Sequence, residues 1–400
     1  MNVVMIGPFA FKPKGTVSAR AFFIGRALVD RGHQVTILMP PYDNLTDSGR
    51  LLERDGVRLE NMDIRRNDAW HQLVVPARMA QRAVHLDPDV VHVFKPIGYS
   101  GMAGLYLRWF SRRPLVLDTD DWEGTGGWSN VNPYPALWKR LFDWQERWLA
   151  CHADVVTVVS RTLQTQVWGF GVDPARVIYL PNGPDAHLRQ QPEVTHAQKA
   201  ALRAELGVGD APFALYLGHI PHGTDLDLAL AALARLCTER PELRLVIAGV
   251  GDGLPDLQAC AERLGVADRV IFPGWIPHED AYLYVAAADA TVNPYRDTLI
   301  NRSKCAGKVV SFMAMGKAVV TSRLGENLEY IEDGRSGLLT EPGNADDLAR
   351  GLLAVLSDRE WAADLGRNAR QRLWERFDWN SRVGEVEHAY QMALTSGSKH

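Results

Sequence analysis

The sequence has few cysteines, and their spacing excludes two classes of site. The four cysteines, Cys151, Cys237, Cys260 and Cys305, are widely separated and lack the close pairing of metal ligands. They are interpreted as reduced thiols, the usual state of cysteine in the cytosol. We therefore expect neither a disulfide framework nor a cysteine metal centre.

Long apolar runs and an excess of one charge are also missing. No apolar stretch approaches the ~20 residues needed to span a bilayer, and the first strand is not preceded by the regions of a signal peptide. We expect a cytoplasmic protein, attached at most to the surface of a membrane. The formal net charge of −4 argues against general nucleic-acid binding, so any positive patch must be local.

What is present is the composition of an ordinary globular enzyme. The chain has 400 residues, of which 46% are hydrophobic and 23% are charged. A chain of this length exceeds the size at which one hydrophobic core keeps growing, so two domains are expected. There is no short-period repeat and no low-complexity tract.

The first half of the chain alternates between short apolar strands and amphipathic helices. The predicted strands show no clear two-residue alternation, which is typical of a parallel sheet covered on both faces. They lie at 3–6, 34–38, 90–94, 115–118, 155–159 and 177–180. The pattern predicts an α/β fold with a doubly wound, Rossmann-like parallel sheet.

The alternation stops over 185–212 and then resumes. New strands are predicted at 213–217, 243–248, 270–272, 290–292, 318–321 and 337–340. We therefore expect an N-terminal domain over 1–184, a linker over 185–212 and a second Rossmann-like domain over 213–377. Ligands of open α/β sheets bind beyond the carboxyl ends of the strands, so a cleft between the two domains is the expected site.

The stretch 293–325 carries the strongest signal for an anion site. A short strand is followed by a polar loop with Arg302, Lys304 and Lys308, and then by an apolar helix that begins near Lys308. The free backbone N–H groups at a helix N-terminus and the helix dipole both favour negative charge. The stretch therefore predicts a phosphate-binding loop.

Two glycine-containing loops were weighed as further phosphate sites. Gly15 lies near the start of the first helix with Lys12 and Lys14 beside it, and such a loop either approaches a ligand or is plain surface. The run from Ile247 to Gly253 is only Gly-x-Gly-x-Gly, and no acidic residue follows at the place that a dinucleotide site requires. A tight turn explains that run better.

The end of the fourth predicted strand is acidic. Asp118, Asp120 and Asp121 are interpreted as a general base, as partners of acceptor hydroxyls or as metal ligands. Helix capping and turn formation are the alternatives. The following loop, from Trp122 to Trp128, is rich in glycine and is expected to be mobile, with aromatic faces suited to stacking on a sugar ring.

Two other features leave alternatives open. His92 lies at a strand end near Lys95, where a ligand contact and a buried hydrogen bond are equally expected. The helix over 134–150 is both basic and aromatic. It is expected either to make a peripheral membrane contact or to contribute its tryptophans to the core.

Several phrases in a fixed order resemble a known family. They are Arg31-Gly-His-Gln-Val-Thr36, Leu180-Pro-Asn-Gly183, Met313-Ala-Met-Gly-Lys-Ala-Val-Val320 and Asp333-Gly-Arg-Ser-Gly-Leu-Leu339. Together they resemble the GT-B-fold retaining glycosyltransferases of family 4, also called group 1. The resemblance implies transfer of a sugar from a nucleotide sugar, a UDP- or GDP-sugar, to an unknown acceptor hydroxyl, without a required metal or other cofactor. It also implies that the C-terminal helix, 378–400, packs back on the first domain.

The resemblance also suggests roles for individual residues. Ser303 and Ser311 stand where the family has two glutamates, His219 and Thr224 stand where it has a cationic pair, and Asp120 aligns with its strand-end histidine. Expected catalytic residues are Asp120 and Asp121. Expected donor-binding residues are Gly15, His219, Trp275, Arg302, Ser303, Lys304, Lys308 and Ser311. Expected acceptor-binding residues are His92, Lys95 and Trp122.

The substitutions at the donor site keep two other functions open. One is a catalytically impaired protein that binds a sugar or nucleotide. The other is a nucleotide-sugar epimerase of the same fold.

Overall fold

The computed structural model describes residues 1–12, 15–64, 70–222, 224–277, 279–305 and 307–397. Its contacts divide the chain into two compact units. The first unit comprises Met1–Gly183, Arg302–Cys305 and Phe377–His400, and the second comprises Pro184–Asn301 and Ala306–Arg376. The short segment Arg302–Cys305 therefore belongs to the first unit, although it lies between two parts of the second.

The first unit is built on an eight-stranded sheet with the order β3-β4-β2-β1-β5-β6-β7-β8. All neighbouring strands are parallel except β3 and β4. The strands are β1 Asn2–Ile6, β2 Gln34–Met39, β3 Leu51–Arg54, β4 Val57–Asn61, β5 Val90–Phe94, β6 Leu115–Thr119, β7 Val155–Val158 and β8 Val177–Tyr179.

Helices cover both faces of this sheet. A π-helical turn, Val17–Ala21, leads directly into the first of them. They are α1 Phe22–Asp30, α2 His71–His85, α3 Gly98–Phe110, α4 Trp128–Val131, α5 Ala136–His152, α6 Arg161–Gly169 and, at the end of the chain, α16 Trp379–Gly397. Two groups of buried apolar side chains, one on each face of the sheet, form the core of the unit.

The hairpin of β3 and β4 was missed by the sequence analysis. β3 is exposed along its whole length, and β4 alternates between buried and half-buried residues. Asp55 and Gly56 form the two-residue turn, with φ angles of 49° and 75°. An Asp-Gly pair with both φ angles positive is a strong hairpin signal, so the information was present in the sequence.

The second unit contains a six-stranded, fully parallel sheet with the order β11-β10-β9-β12-β13-β14. Its strands are β9 Phe213–Leu217, β10 Arg244–Ala248, β11 Val270–Gly274, β12 Ala290–Asn293, β13 Val319–Ser322 and β14 Leu338–Thr340. Its helices are α7 His196–Glu205, α8 Asp227–Leu236, α9 Leu254–Arg263, α10 Ala281–Ala287, α11 Leu299–Ser303, α12 Gly307–Ala314, α13 Asn327–Tyr330, α14 Ala345–Ser357 and α15 Arg359–Arg376. The last two residues of α11, Arg302 and Ser303, belong to the first unit. The prediction of two doubly wound parallel sheets is confirmed.

The stretch expected to be a linker, 185–212, is part of the second unit. It contains α7, which begins with a capping box between Thr195 and Gln198. Arg203 on α7 donates to the carbonyl of Ala287 at 2.8 Å and to Asp289 at 3.3 Å. These bonds attach α7 to the end of α10, so the stretch is packed structure rather than a free connection.

The C-terminal helix α16 packs within the first unit. Its apolar residues join the core group that contains α1. At the surface, Glu387 accepts hydrogen bonds from Arg31 at 2.7 Å and from His33 at 2.9 Å. These bonds lower the pKa of Glu387 to about 2, so its carboxylate stays charged and holds α16 against the preceding elements.

Candidate functional site

Asp118, at the end of β6, is a buried structural carboxylate. Its two oxygens accept from Nε and Nη2 of Arg20, both at 2.7 Å, and Thr157 donates to it at 2.6 Å. Burial opposes the charge of Arg20, but Asp118 outweighs burial and the pKa of Arg20 is raised. Both oxygens of Asp118 are therefore occupied by buried hydrogen bonds, so this carboxylate is not available as a general base.

Asn182 links the same arginine to the segment that was expected to bind the donor. Nη1 of Arg20 donates to Oδ1 of Asn182 at 2.9 Å, and the backbone N–H of Asn182 lies 3.3 Å from Sγ of Cys305. The sequence analysis did not identify Arg20 as a site residue. The signal was its spacing, three residues after buried Val17 and four before buried Ile24, which puts a charge on the apolar face.

Lys95 and three carboxylates form the second cluster of the first unit. Nζ of Lys95 lies 3.1 Å from Asp120, 2.7 Å from Asp121 and 2.6 Å from Glu123. Lys95 has a left-handed backbone, with φ of 66°, which a non-glycine residue seldom adopts. The Lys95 ammonium is thus enclosed by carboxylates, and its expected contact with an acceptor stays a prediction.

The expected catalytic pair, Asp120 and Asp121, does come together in this cluster. Asp120 also accepts from Thr16 at 2.6 Å. Burial raises the pKa of Asp120, and it raises the pKa of Glu123 to about 7 although Lys95 opposes the change. Oxygens of these two residues and of Asp121 lie within 4.8 Å of one another, close enough to hold a metal ion. Lys95 already supplies a positive charge among them.

The glycine-rich loop after β6 is a hydrogen-bonded turn, and its expected mobility stays a prediction. Glu146 on α5 accepts from the backbone N–H groups of Glu123 and Gly124, each at 2.9 Å. A side chain at Gly127 would lie 2.0 Å from the carbonyl oxygen of Trp122, so glycine is required there. Trp122 is half-buried, and its indole N–H donates to the carbonyl of Thr125.

The structure corrects the expectation that His92 contacts the acceptor substrate. Its side chain is fully buried under α16, where Nδ1 lies 3.0 Å from the hydroxyl of Tyr390 and Nε2 lies 3.4 Å from that of Thr157. Burial lowers the pKa of His92 to about 4, so the ring is neutral near pH 7. The buried hydrogen bond, one of the two alternatives, is the one found.

In the second unit, Lys308 lies in the first turn of α12 beside two tyrosines. Its Nζ is 4.9 Å from the centre of the Tyr216 ring. A Cβ at residue 218 would lie 2.2 Å from Cε of Lys308, so Gly218 makes room for the lysine. Burial opposes its charge, yet Tyr216 and Tyr295 raise its pKa. Among the described residues no carboxylate lies within ion-pair distance of this ammonium, which is the arrangement expected of an anion site.

The Gly-x-Gly-x-Gly run serves packing. Side chains at Gly249 and Gly251 would lie 1.9 Å and 2.1 Å from the carbonyl oxygens of Gly218 and Ile220. Because these two residues have no side chains, the segment after β9 pairs with the end of β10 and the loop that follows it. The N–H of Gly218 donates to the carbonyl of Ala248, and the N–H of Ile220 donates to the carbonyl of Val250. His219 is exposed in this loop, and its Nδ1 lies 2.9 Å from the Val250 carbonyl.

The remaining expected donor residues are spread over both units. In the second unit Trp275 is 68% exposed, and Ser311 donates to the carbonyl of Gly307 in its own helix. In the first unit Arg302 is exposed, and Nζ of Lys304 lies 5.1 Å from the ring centre of Trp128.

The last two residues that were expected to contact the donor lie in the first unit and differ in exposure. Ser303 is fully buried, which corrects its expected contact with a donor. Gly15 is exposed, and nothing within 4 Å would meet a side chain there, so its surroundings do not require glycine. Lys14 lies outside the described residues.

Two family models match consecutive parts of the chain. The model of a glycosyl transferase 4-like domain matches residues 15–183, and that of glycosyl transferases group 1 matches residues 198–372. The chain belongs to the group 1 glycosyltransferases. The first match falls in the first unit and the second falls almost entirely in the second.

Curated relatives and solved structures agree with this family. The glycosyltransferase is 26% identical over 388 residues to a GDP-mannose-dependent alpha-(1-6)-phosphatidylinositol monomannoside mannosyltransferase of Mycolicibacterium smegmatis, with 93% of this chain and 94% of the relative covered. Its fold matches that of HepE from Anabaena, solved with UDP and glucose, with a TM-score of 0.77, 21% identity and coverage of 98% and 99%.

A second solved structure shows the same fold. It is the sucrose-phosphate synthase of Thermosynechococcus elongatus, with a TM-score of 0.78, 20% identity and coverage of 99% of both chains. The predicted GT-B fold is therefore confirmed for this glycosyltransferase. In the part of the chain that the structure describes, no helix is both long enough and apolar enough to cross a bilayer.

Proposed function

We propose that this group 1 glycosyltransferase moves a sugar from a nucleoside diphosphate sugar to an acceptor hydroxyl, with retention at the anomeric carbon. The observation that carries the proposal is Lys308 in the first turn of α12, an enclosed ammonium that has no carboxylate partner among the residues that the structure describes. The names of the relatives support it. One is GDP-mannose-dependent, and a protein of the same fold was solved with UDP and glucose.

The donor diphosphate would bind at Lys308 and the first N–H groups of α12. A lysine and a helix N-terminus that converge on one anion favour it by charge and by hydrogen bonds. In the transition state they stabilise the charge that develops on the leaving diphosphate. His219 and Trp275 are proposed to contact the rest of the donor, and the leaving phosphate is proposed to take the proton of the attacking hydroxyl on the same face.

The carboxylate cluster is proposed to orient hydroxyl groups. Three carboxylates and one ammonium leave a net negative charge, and the side chain of Asp121 remains 25% exposed. A carboxylate accepts hydrogen bonds from sugar hydroxyls in this arrangement. Asp120 is held by Thr16 and Lys95, so its role is to fix Asp121 and Lys95 in place.

Replacing Lys308 by alanine is expected to weaken binding of UDP or GDP about tenfold to a hundredfold. The change removes a charge-assisted hydrogen bond, which contributes roughly 1.5–3 kcal/mol. Isothermal titration measures it. Lys199→Ala is the control, because it removes a lysine of the same unit that lies on α7 and not on α12. Unchanged affinity in Lys308→Ala would remove α12 from the donor site.

Turnover is expected to survive chelation. Lys95 already neutralises part of the acidic cluster, and the proposed donor site uses a lysine and backbone groups in place of Mg²⁺. Release of the nucleoside diphosphate from a UDP- or GDP-sugar would be followed with and without EDTA. If EDTA stopped release and Mn²⁺ restored it, Asp120, Asp121 and Glu123 would be a metal site and the metal-free proposal would be wrong.

Two other functions are tested by the same assay. Serines at 303 and 311 and His219 in place of the family's charged residues favour a protein that binds a nucleotide sugar without turning it over. Such a protein would bind UDP or GDP in the titration and release nothing. An epimerase would instead yield a free epimerised sugar without any acceptor, which product analysis detects.

A further inference from the structure

Four aromatic side chains of α3 and α5, three of them exposed and one half-buried, form a continuous strip on the first unit. We call it the aromatic strip, and it consists of Trp109, Phe110, Trp144 and Trp148. The ring centres of Trp109 and Trp148 are 5.8 Å apart, those of Trp144 and Trp148 are 5.9 Å apart, and those of Trp109 and Phe110 are 6.4 Å apart. Phe110 is 82% exposed, Trp109 48% and Trp144 41%.

The strip continues along α5. Leu137 is 77% exposed and lies seven residues before Trp144, so both project from the same side of the helix. A soluble protein seldom leaves large apolar side chains together in water, because burying them lowers the free energy. A contiguous exposed group of this kind marks an interaction surface.

The charges of α5 are separated between its two sides. Its acidic residues, Asp143 and Glu146, turn toward the loop after β6 and accept backbone hydrogen bonds from Thr125, Glu123 and Gly124. Arg140 and Arg147 remain exposed near Trp144. The outer side of α5 therefore presents cations beside aromatic rings, with both of its carboxylates used inside the protein.

We propose that the aromatic strip docks on the surface of a bilayer that contains anionic lipid. Tryptophan and phenylalanine insert at the boundary between headgroups and acyl chains, and arginines beside them bind the lipid phosphates. A protein partner would also cover apolar rings, but the separated positive charge matches an extended anionic surface. The docking surface does not depend on the proposed function. Together with that function, it implies that the acceptor hydroxyl belongs to a lipid-linked molecule, and this part of the inference rests on the proposed function.

Sedimentation with large vesicles tests the proposal without any donor. The purified protein is mixed with vesicles of phosphatidylcholine alone or with about 30 mol% phosphatidylglycerol, at low and at high salt. We expect binding to the anionic vesicles, weaker binding to the neutral ones and partial release by salt. No binding to anionic vesicles would overturn the proposal.

Two variants and two matched controls locate the surface. Phe110→Ser with Trp144→Ser removes exposed rings, and Arg140→Glu reverses one charge. Each is expected to weaken vesicle binding by at least about fivefold. Leu328→Ser and Arg263→Glu change an exposed apolar residue and an exposed arginine of the second unit, and they should leave binding unchanged. Equal binding by all five proteins would also overturn the proposal.

Two further outcomes separate this inference from others. If analytical ultracentrifugation shows a dimer that Phe110→Ser with Trp144→Ser dissociates, the strip joins copies of the chain and the membrane proposal is wrong. Vesicle binding is measured without donor, so it is independent of turnover. A protein that binds vesicles but releases no nucleoside diphosphate would contradict the proposed function and support the docking surface.

Discussion

Arg20→Met is expected to lower the free energy of unfolding of the first unit by about 3–5 kcal/mol. Arg20 is 2% exposed and Asp118 is fully buried, so the substitution leaves a carboxylate in a low-dielectric interior without its charged partner. Thr157 would still donate to Asp118, but one neutral hydrogen bond does not replace a bidentate ion pair. Denaturation with urea, followed by circular dichroism, measures the loss.

The chain offers a matched control for this experiment. Arg31 also pairs with a carboxylate at 2.7 Å, but its side chain is 51% exposed, and that of Glu387 is 26% exposed. Surface pairs contribute about 0–1 kcal/mol, so Arg31→Met should have a small effect. Equal effects of the two substitutions would show that the Arg20 pair is not the buried support described above.

A double substitution tests the cause. In Arg20→Met with Asp118→Leu both charges are gone, and apolar replacements of a buried pair are often neutral. The double variant should regain most of the stability that Arg20→Met loses. A loss as large in the double variant would point to packing or to the bond with Asn182 as the source of the effect.

Lys95→Met is the second substitution for which we expect a large effect. It should lower the free energy of unfolding by about 3 kcal/mol or more near pH 8. Asp120, Asp121 and Glu123 would then face one another without a cation. Like charges at such distances raise one another's pKa, and burial adds to the cost. Lys139→Met, on α5, is the control because Lys139 lies at the surface outside this cluster.

The loss of stability in Lys95→Met should increase as the pH rises. Burial already raises the pKa of Glu123 to about 7 from its ordinary value of 4.5. The folded protein therefore binds this proton more tightly than the unfolded chain, and stability falls as the pH rises from about 4.5 to 7. Without Lys95 that pKa rises further, so the loss in Lys95→Met should be larger near pH 8 than near pH 5.

The same variant should gain affinity for divalent cations. With the ammonium gone, the three carboxylates keep oxygens within 4.8 Å of one another, a spacing that suits oxygen ligands of one ion. Mn²⁺ should raise the melting temperature of Lys95→Met and leave that of the parent unchanged. Adding Asp121→Asn should reduce this gain. A parent protein stabilised as strongly as Lys95→Met would show that Lys95 does not fill the site.

Much of this enzyme can be predicted from the sequence, because the predictive signals are local. Apolar runs without alternation predicted the parallel strands, and the apolar run that begins near Lys308 predicted helix α12, which begins at Gly307. The run from Ile247 to Gly253 predicts a tight turn because no acidic residue follows at the place that a dinucleotide site requires. Each of these conclusions depends only on residues that are close together in the sequence, and such residues stay close together in the folded chain.

The partners of the charged side chains were decided only by tertiary structure. Arg20 meets Asp118 across 98 residues, Lys95 meets Glu123 across 28, and His92 meets Tyr390 across 298. Residue type and spacing placed Asp120 and Asp121 at a strand end. They did not show that a lysine from the neighbouring strand enters between them, or that His92 lies beneath the last helix. A buried charge is stable only beside its partner, and the order of the strands in the sheet determines which partner that is.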